Sequence, residues 1–554
     1  MSPSVMSAID ATIERPLDAI QDLFSKNWTK ENASESNDFG VAAHFQELFD
    51  TREKLLQIPS LDAQSVQQLP VHSLVRFRCM VQDTDLSQEI ALFSSIVTTQ
   101  PDGEEKLVCH RYSDGPQQDN VIECVPDQDI MDLRNSYYCV SVPGVSAWAK
   151  EYDNAANQLS LEGLTLDGDD APQVIPGRYP FPRAQHFAAV VKTHASDINI
   201  GVTDMVDVIG VLGASNSVIS GDSFDFNEES SDSPRVPTVH AITMRKVDDH
   251  GHPDLGINGQ PSKSDMDACL QDAAATRRDL MAYLTDALKG DELAAELVLL
   301  HMLARVYARA GGKALGQFSL NLKQTELDTT LCQTLEKIMS NILPKVHAIP
   351  MTLQTLNTEA FYPRKDDQLL SGFLQVTRGT TLVLDETALE EGTLNEQGLK
   401  NLRAVSGVSQ NQTLSYMFPF NSIDFNTDIS LLIVSLGSSL VPVDCAITLN
   451  PDTTRTEPLV VPSADKIEAF RKYVSVLRLA EYTVSEEVAK EIETDFVEQR
   501  KAANAAKTTP ITPDEFAFNI SLARIVSLSK GEISLSMDSW EQAVSLAKQI
   551  GDRK

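Results

Sequence analysis

The sequence is short of basic residues, has no closely spaced cysteine pair and contains no long uncharged apolar run. Each shortage excludes a class of protein. Lysine and arginine total 46 against 79 aspartates and glutamates, a net charge of −33 with pI ≈ 4.6. A polyanion repels phosphate backbones unless its cations are concentrated locally, and no such concentration occurs, so direct nucleic-acid binding is disfavoured. The acidity serves solubility, or it complements a basic protein partner and competes with nucleic acid for that partner's surface. The cysteines number seven, an odd count, and are widely spaced without a CxxC. That excludes a disulfide framework or zinc ribbon and fits a reducing compartment. Cys109 and His110, as neighbours on a strand, point to opposite faces and cannot share an ion. His250 and His252 lie in DDHGHPD, which reads as a solvated loop. The most apolar stretch, Leu293–Ala308, contains Glu296, His301 and Arg305 and is too short and too charged to span a bilayer. Asp10 and Glu14 interrupt the first residues, so no signal peptide is expected. The expectation is a soluble intracellular protein with no cofactor, no metal and no membrane partner.

What is present is ordinary globular material: 554 residues, 42% hydrophobic and 23% charged. At roughly 150 residues per domain this suggests three or four domains. Residues 1–64 read as helices. RPLDAIQDLF sets Leu17, Ile20, Leu23 and Phe24 on one face, with Pro16 at the helix start. VAAHFQELFDTREKLLQIP repeats the pattern with Phe45, Leu48 and Leu55 and stops at Pro59. Core packing is the default for such a stripe; docking to a partner is the rival.

Residues 65–250 read as a β-rich domain. LVRFRCMVQD alternates, with Val75, Phe77, Cys79 and Val81 on one face. SYYCVSVPG, FAAVVKTH, INIG, TDMVDVIGVLG and VHAITMRKV follow as further strands. Short strands separated by turn residues suggest a small barrel, and TDMVDVIGVLG looks like a strand of an oligonucleotide/oligosaccharide-binding (OB) fold. Gly210 and Gly213 would relieve the bend that closure needs. Residues 151–180 and the acidic, serine-rich 221–234 read as loops. Such barrels bind single strands with aromatic platforms beside cations, and Phe77 between Arg76 and Arg78 is the best local hint of that.

Residues 262–463 alternate helix and strand, which implies a mostly parallel α/β sheet. RRDLMAYLTDALKGDELAAELVLLHMLARVYAR reads as one or two buried helices. GQFSLNL, IPMTLQTLN, TTLVLDE and DISLLIVSL read as strands, and LDTTLCQTLEKIMSNI as a helix. Residues 464–554 are helical, with Ser485–Glu487 and Thr512–Glu515 as helix starts.

One constellation bears on chemistry. TTLVLDE ends an apolar strand on Asp385 and Glu386, as a Walker B motif does. There the aspartate holds Mg²⁺ and the glutamate polarises water. SGFLQVTRGTTLVLDETALEEG (371–392) resembles the stretch leading into Walker B of the mini-chromosome maintenance (MCM) helicases. The helices FRKYVSVLRL, VSEEVAKEIE, DFVEQRK, ITPDEFAFNISLARIVSLS and MDSWEQAVSLA resemble their helical lid. The catalytic parts do not follow. A phosphate loop needs GxxxxGK[ST] so that glycine amides and a lysine can reach the phosphates. GQFSLNL is followed by KQTELDTT, which has none of these. The alternative register, GDELAAEL at 290–297, sets Glu296 and Leu297 where the Lys and Ser belong. Pro442 stands at the arginine-finger position and Asp514 at the sensor-arginine position. No lysine occurs between Lys400 and Lys466, so the DNA-gripping hairpin of the helicases lacks its cation. Without a nucleotide to serve, Asp385 and Glu386 read as a strand-end turn and a helix N-cap charge. No catalytic, cofactor or metal residue is assigned.

The whole chain resembles the MCM-binding protein family. The marks are PLDAIQDLF (16–24), SLVRFRCMVQD (73–83), YYCVSVPGVSAWAKE (137–151), GDELAAELVLLHML (290–303), LGQFSLNL (315–322), TLVLDETALEEGTL (381–394), SSLVPVDCAITL (438–449) and DFVEQRK (495–501). The fold so implied has N-terminal helices and an OB-like barrel with insertions. A degenerate MCM/AAA+-like α/β domain (262–463) with a C-terminal lid (464–554) follows. The resemblance implies a nuclear adaptor or chaperone whose partners are MCM helicase subunits. It would act in assembly of that complex and its removal from chromatin, with links to sister-chromatid cohesion and the replication checkpoint. The rival readings are a single-strand-binding OB protein and an active AAA+ ATPase.

Overall fold

In a computed structural model the protein is described at residues 8–29, 38–63, 65–86, 88–99, 104–114, 130–154, 175, 177–182, 184, 186–194, 199–217, 235–247, 252, 255, 259–366, 368–452, 454–455, 458–506 and 510–553. The acidic loop 221–234, most of 151–180 and His250 lie outside the described residues.

Five strands close a barrel: β1 (Leu74–Asp83), β2 (Ile130–Ser141), β3 (Ala188–Thr193), β4 (Met205–Ser217) and β5 (Arg235–Lys246). β1 pairs antiparallel with both β2 and β4, β2 with β3 and β4 with β5, while β3 and β5 run parallel. The circuit counted along the chain is 1-2-3-5-4-1. The alternation read in LVRFRCMVQD is what fills it: Val75, Phe77, Cys79 and Val81 all lie in one core with Val191, Val206 and Val208. β4 shifts register between Ile209 and Gly210 and between Leu212 and Ser215. A Cβ on Gly210 would strike the His240 carbonyl, so glycine there lets β4 and β5 approach through the bulge. Of INIG only residues 199–201 are described; they are not strand and lead into β4 as loop. A strand pair, Glu89–Thr99 and Glu104–Cys109, is inserted after β1 and extends the sheet beyond β2.

The N-terminal helices pack on this barrel. Pro16–Asn27 begins on Pro16 and buries Ile20 and Phe24. The second expected helix is two, Val41–Leu48 and Arg52–Leu55, because Thr51 accepts from the Lys54 amide and starts a new cap. Phe45, Phe49, Leu55 and Ile58 pack with Leu74, Ile209, Val211 and Ile242 on the barrel's outer face. The apolar stripe is core.

The second unit is a five-stranded parallel sheet: β6 (Leu320–Gln324), β7 (Val346–Pro350), β8 (Thr380–Asp385), β11 (Ile429–Leu436) and β12 (Cys445–Thr448). The order is β7-β8-β11-β6-β12, or 2-3-4-1-5 along the chain. Before β11 the chain makes an antiparallel hairpin of β9 (Thr413–Met417) and β10 (Ser422–Asn426). Helices Lys263–Ala287 and Glu292–Leu303 precede the sheet, and Glu292–Leu303 is buried on nearly all sides, as its sequence implies. The chain leaves the helix at Ala304 and forms a small β-hairpin at 308–315, so ARVYAR is not helical. IPMTLQTLN divides: Val346–Pro350 is strand, but Thr352 caps a helix at Leu353–Thr358. Helices Ala464–Leu479, Glu486–Ala506, Pro513–Ser529 and Met537–Asp552 complete the chain. Among the described residues no helix is long and apolar enough to cross a membrane.

Barrel and parallel sheet share a core. Met80, Tyr138 and Val140 pack in one cluster with Ile349, Leu384 and Ile433. Gln375 joins the units through polar bonds: its Nε2 donates to the Gln82 carbonyl at 3.1 Å and to the Tyr416 hydroxyl at 3.1 Å. Trp148 donates to the Ser340 carbonyl at 2.9 Å, with the Arg471 guanidinium 4.2 Å from its ring and His252 stacked 5.0 Å away. His252 is therefore buried, 3.3 Å from Glu468, and not part of a solvated loop. No group of metal-ligating side chains assembles among the described residues.

Candidate functional site: the strand ends of the parallel sheet

The loop after β6 is the place to look for an anion site, because a strand feeding a helix there can aim backbone amides at a ligand. Gln324 ends β6 and the next helix runs Leu331–Ile342. The six residues between, Thr325–Thr330, include no glycine, and the Asp328 and Thr330 amides are bonded locally. Gln324 accepts from the Asp328 amide at 2.6 Å and donates to its carbonyl at 3.2 Å. One oxygen of the Asp328 carboxylate accepts from the Thr330 amide at 2.9 Å and the Thr330 hydroxyl at 2.6 Å. The other accepts from Lys289 Nζ at 2.7 Å. Lys289 and Thr330 hold this carboxyl down at about 2. A carboxylate of the chain thus sits where a cradle would receive an anion. The cleft beside it measures about 1450 Å³. Its three cations already face carboxylates: Lys289 faces Asp328, Arg455 lies 3.6 Å from Asp452, and Arg553 forks onto Asp291.

The alternative phosphate-loop register is corrected by its position. Residues 290–297 precede β6 and cap a buried helix: Asp291 accepts from the Ala294 amide, Glu296 pairs with Arg277, and Leu297 is buried in the core.

Asp385 and Glu386 do stand together at the carboxyl end of β8, between β7 and β11. Asp385 accepts from the Thr387 amide at 3.0 Å and the Thr387 hydroxyl at 2.6 Å, closing the strand-end turn. Burial, and then the charge of Asp385, push the neighbouring Cys332 thiol up to about 12. Glu386 is 5% exposed and accepts from the Ser439 hydroxyl at 3.0 Å and the Leu440 amide at 3.3 Å. Burial pushes its carboxyl above the usual range. The strand-end turn holds, but neither acid serves as a helix N-cap charge, because the next helix is Glu396–Asn411, capped by Asn395. Glu386 instead pins the segment after β11. The Pro442 carbonyl in that segment accepts from Ser409 at 2.5 Å, and Asp444 accepts from the Ser319 amide at 2.8 Å. Asp514 lies in the first turn of Pro513–Ser529, exposed and 3.8 Å from Lys313, while Thr512 and Glu515 form the capping box. Sequence reasoning missed Gln324, Lys289, Asp328 and Cys332. The one signal in KQTELDTT that points to the loop's lock is its aspartate two residues before a threonine, a turn signal in itself.

The barrel trio does not form a platform. Phe77 points into the core, 1% exposed. Arg76 reaches Asp207 at 2.9 and 3.0 Å, and Arg78 bonds Asp153 at 2.7 Å and Asp207 at 3.0 Å. Burial alone would raise the Asp207 carboxyl; Arg76 and Arg78 outweigh it and hold the group well below the usual range. All three side chains are committed within the fold.

A closed five-stranded barrel fused to a parallel α/β sheet, with strand-end acids bonded by the chain's own donors, defines a multidomain α/β and β scaffold. Residues 45–167 and 170–553 match the family described as mini-chromosome maintenance replisome factor, and the chain belongs to that family. Similar along almost their full length are proteins named mini-chromosome maintenance complex-binding protein. The Gallus gallus protein is 29% identical over 98% of this chain and 97% of its own. The Homo sapiens protein is 28% identical over 96% of each, and the Arabidopsis thaliana protein 26% over 94% of each.

Proposed function

We propose that this chain is a non-catalytic adaptor and chaperone that binds MCM helicase subunits, in the nucleus, and regulates assembly of the complex and its removal from chromatin. The partner comes from the family and the names of its members. The observation that carries the non-catalytic part is Asp328 locked by Thr330 and Lys289 in the loop after β6. A polyphosphate entering there would meet a carboxylate that already holds the Thr330 amide and the Lys289 ammonium group.

The sheet supports a degenerate AAA+ reading. Its first strand leads to the loop, its third ends on Asp385 and Glu386, and its fourth leads to the Ser439 segment. Set against GxxxxGK[ST], Thr325–Cys332 has threonine at both glycine positions, Leu331 for lysine and Cys332 for the hydroxyl residue. Cys332 still meets Asp385, as the hydroxyl and the acid would meet around Mg²⁺. The barrel's 1-2-3-5-4-1 circuit supports the OB-like reading. A pseudo-subunit of this shape would occupy one face of a helicase subunit and offer the shared site neither finger nor phosphate loop. The roles in cohesion and checkpoint belong to the same proposal.

Two measurements test it with the purified full-length chain. It should retain MCM subunits in a pull-down, and it should show no Mg–ATP binding in the micromolar range. Failure to retain any subunit removes the adaptor reading; micromolar nucleotide affinity removes the non-catalytic one.

A further inference from the structure

The β9–β10 hairpin carries an apolar face that outruns the body of the protein. In an antiparallel pair, residues opposite one another share a face. Tyr416 is opposite Ile423 and Leu414 opposite Phe425, so these four form one face. Thr413, Ser415, Met417, Ser422, Asp424 and Asn426 form the other, on which Met417 packs against the core. At the base the apolar face is covered: Leu414 and Tyr416 are buried, and the Tyr416 and Phe425 rings meet edge-on at 4.5 Å. Further out the cover ends. Ile423 is 46% exposed, and Phe420, in the connecting turn, is 100% exposed.

The hairpin is also rigidly mounted. Five register pairs join its strands, the Phe418 amide donates to the Asn421 carbonyl at 2.9 Å across the turn, and the Met417 amide donates to the Pro363 carbonyl at 3.0 Å. A fully exposed phenylalanine on such a mount makes no contact that stabilises this chain. An aromatic held in that way suits a partner's pocket, since aromatic anchors desolvated on binding dominate interface energetics.

Charge decides the kind of partner. Residues 413–426 contain no lysine or arginine, their one charged side chain is Asp424, and the chain as a whole carries −33. A single-stranded nucleic acid needs cations beside its stacking rings, and an anionic membrane needs them beside an inserted aromatic. Neither is served within the hairpin, and Arg364, which pairs with Met417 beside it, lies 3.7 Å from Asp366. We infer that the Phe420 tip is a docking finger whose occupant is an apolar pocket with a basic rim on a protein partner. Resting on the function proposed above, this deepens it by naming the element that meets the MCM subunit.

The test compares wild-type, Phe420→Asp, Ile423→Ser and Phe420→Leu full-length proteins, each checked for unchanged thermal unfolding. Affinity for purified MCM subunits should fall about tenfold or more for Phe420→Asp and several-fold for Ile423→Ser, as expected of an interface anchor. Phe420→Leu should bind within about threefold of wild type. If wild type binds and Phe420→Asp binds equally well, the finger is wrong while the adaptor reading stands. If wild type binds no subunit, the adaptor reading itself fails. Loss of self-association or of single-strand binding in Phe420→Asp, with MCM affinity kept, would put a second copy or a nucleic acid in place of the MCM subunit and overturn the inference.

Discussion

Arg76 and Asp207 should be among the most costly side chains to remove from the barrel, and the expected loss can be worked from their contacts. The Arg76 and Asp207 side chains are 4% and 1% exposed. Arg76→Ala leaves Asp207 with Arg78 at 3.0 Å and Arg245 at 3.7 Å, so the buried carboxylate keeps a partner. Its cost should sit near the low end for a broken buried pair, about 3 kcal/mol. Asp207→Ala leaves Arg76 with Asp153 at 3.6 Å as its remaining ion pair, so about 4 kcal/mol is expected. The double variant removes both charges and should cost less than the two single variants together, by about 2 kcal/mol. Because the Asp207 carboxyl is held below its unfolded value, its contribution is present at neutral pH and lost as pH falls below about 4. Urea denaturation of the four proteins at pH 7.5 measures the cycle. Additivity within about 0.5 kcal/mol would mean that the pair is not coupled. A stable Arg76→Ala protein with weakened, salt-sensitive single-strand binding would refute the reasoning more deeply, since the arginine would then be serving a ligand.

Glu386→Gln should leave stability at pH 7.5 within about 1 kcal/mol of wild type, because an amide oxygen can still accept from Ser439 and Leu440 without the burial of a charge. The raised carboxyl makes wild type lose stability as pH climbs above the unfolded value of 4.5, and the variant should flatten that slope; a loss above about 2 kcal/mol would show the charge to be needed. His301, with no exposed surface, is pushed by burial from 6.5 to about 4. The unfolded chain therefore takes up this proton first, and stability should fall by about 2.4 kcal/mol as pH drops from 7 to 4.5. His347, also lowered to about 4, acts in the same direction. Chemical denaturation at a series of pH values reads the slope, and a flat profile would mean that His301 titrates normally.

The elements that read clearly were those whose own periodicity matches their burial. LVRFRCMVQD is a barrel strand because one of its faces is core, and Glu292–Leu303 is a central helix because every side of it is. The Glu396–Asn411 helix went unread for the opposite reason. It contains Gly398, Gly407, Ser406 and Ser409, which are poor helix formers. Tertiary bonds hold it: Asn395 caps it, and buried Asn401 donates to the Leu356 and Glu359 carbonyls at 2.8 Å each. The strand Glu89–Thr99 was hidden by a register shift between Leu92 and Ser94 and by an exposed Ile90, which break its alternation. At the candidate site, the absence of glycine and lysine was legible one residue at a time. The lock made by Asp328 was not, because it depends on Lys289 arriving from 39 residues away in the chain.

That lock also bears on why Asp385 and Glu386 persist where no phosphate loop accompanies them. A carboxylate kept only for a metal ion would be left exposed or unpaired once that ion had no site. These two are neither. Asp385 closes the turn after β8, and Glu386 ties that strand end to the segment following β11, reaching it from a position 5% exposed. Replacing Glu386 with a small apolar side chain would strand the Ser439 hydroxyl and the Leu440 amide, at a cost of about 1–3 kcal/mol. On the adaptor proposal, these contacts hold the loops at one end of the sheet in a fixed shape, and a partner that recognises shape has use for both acids.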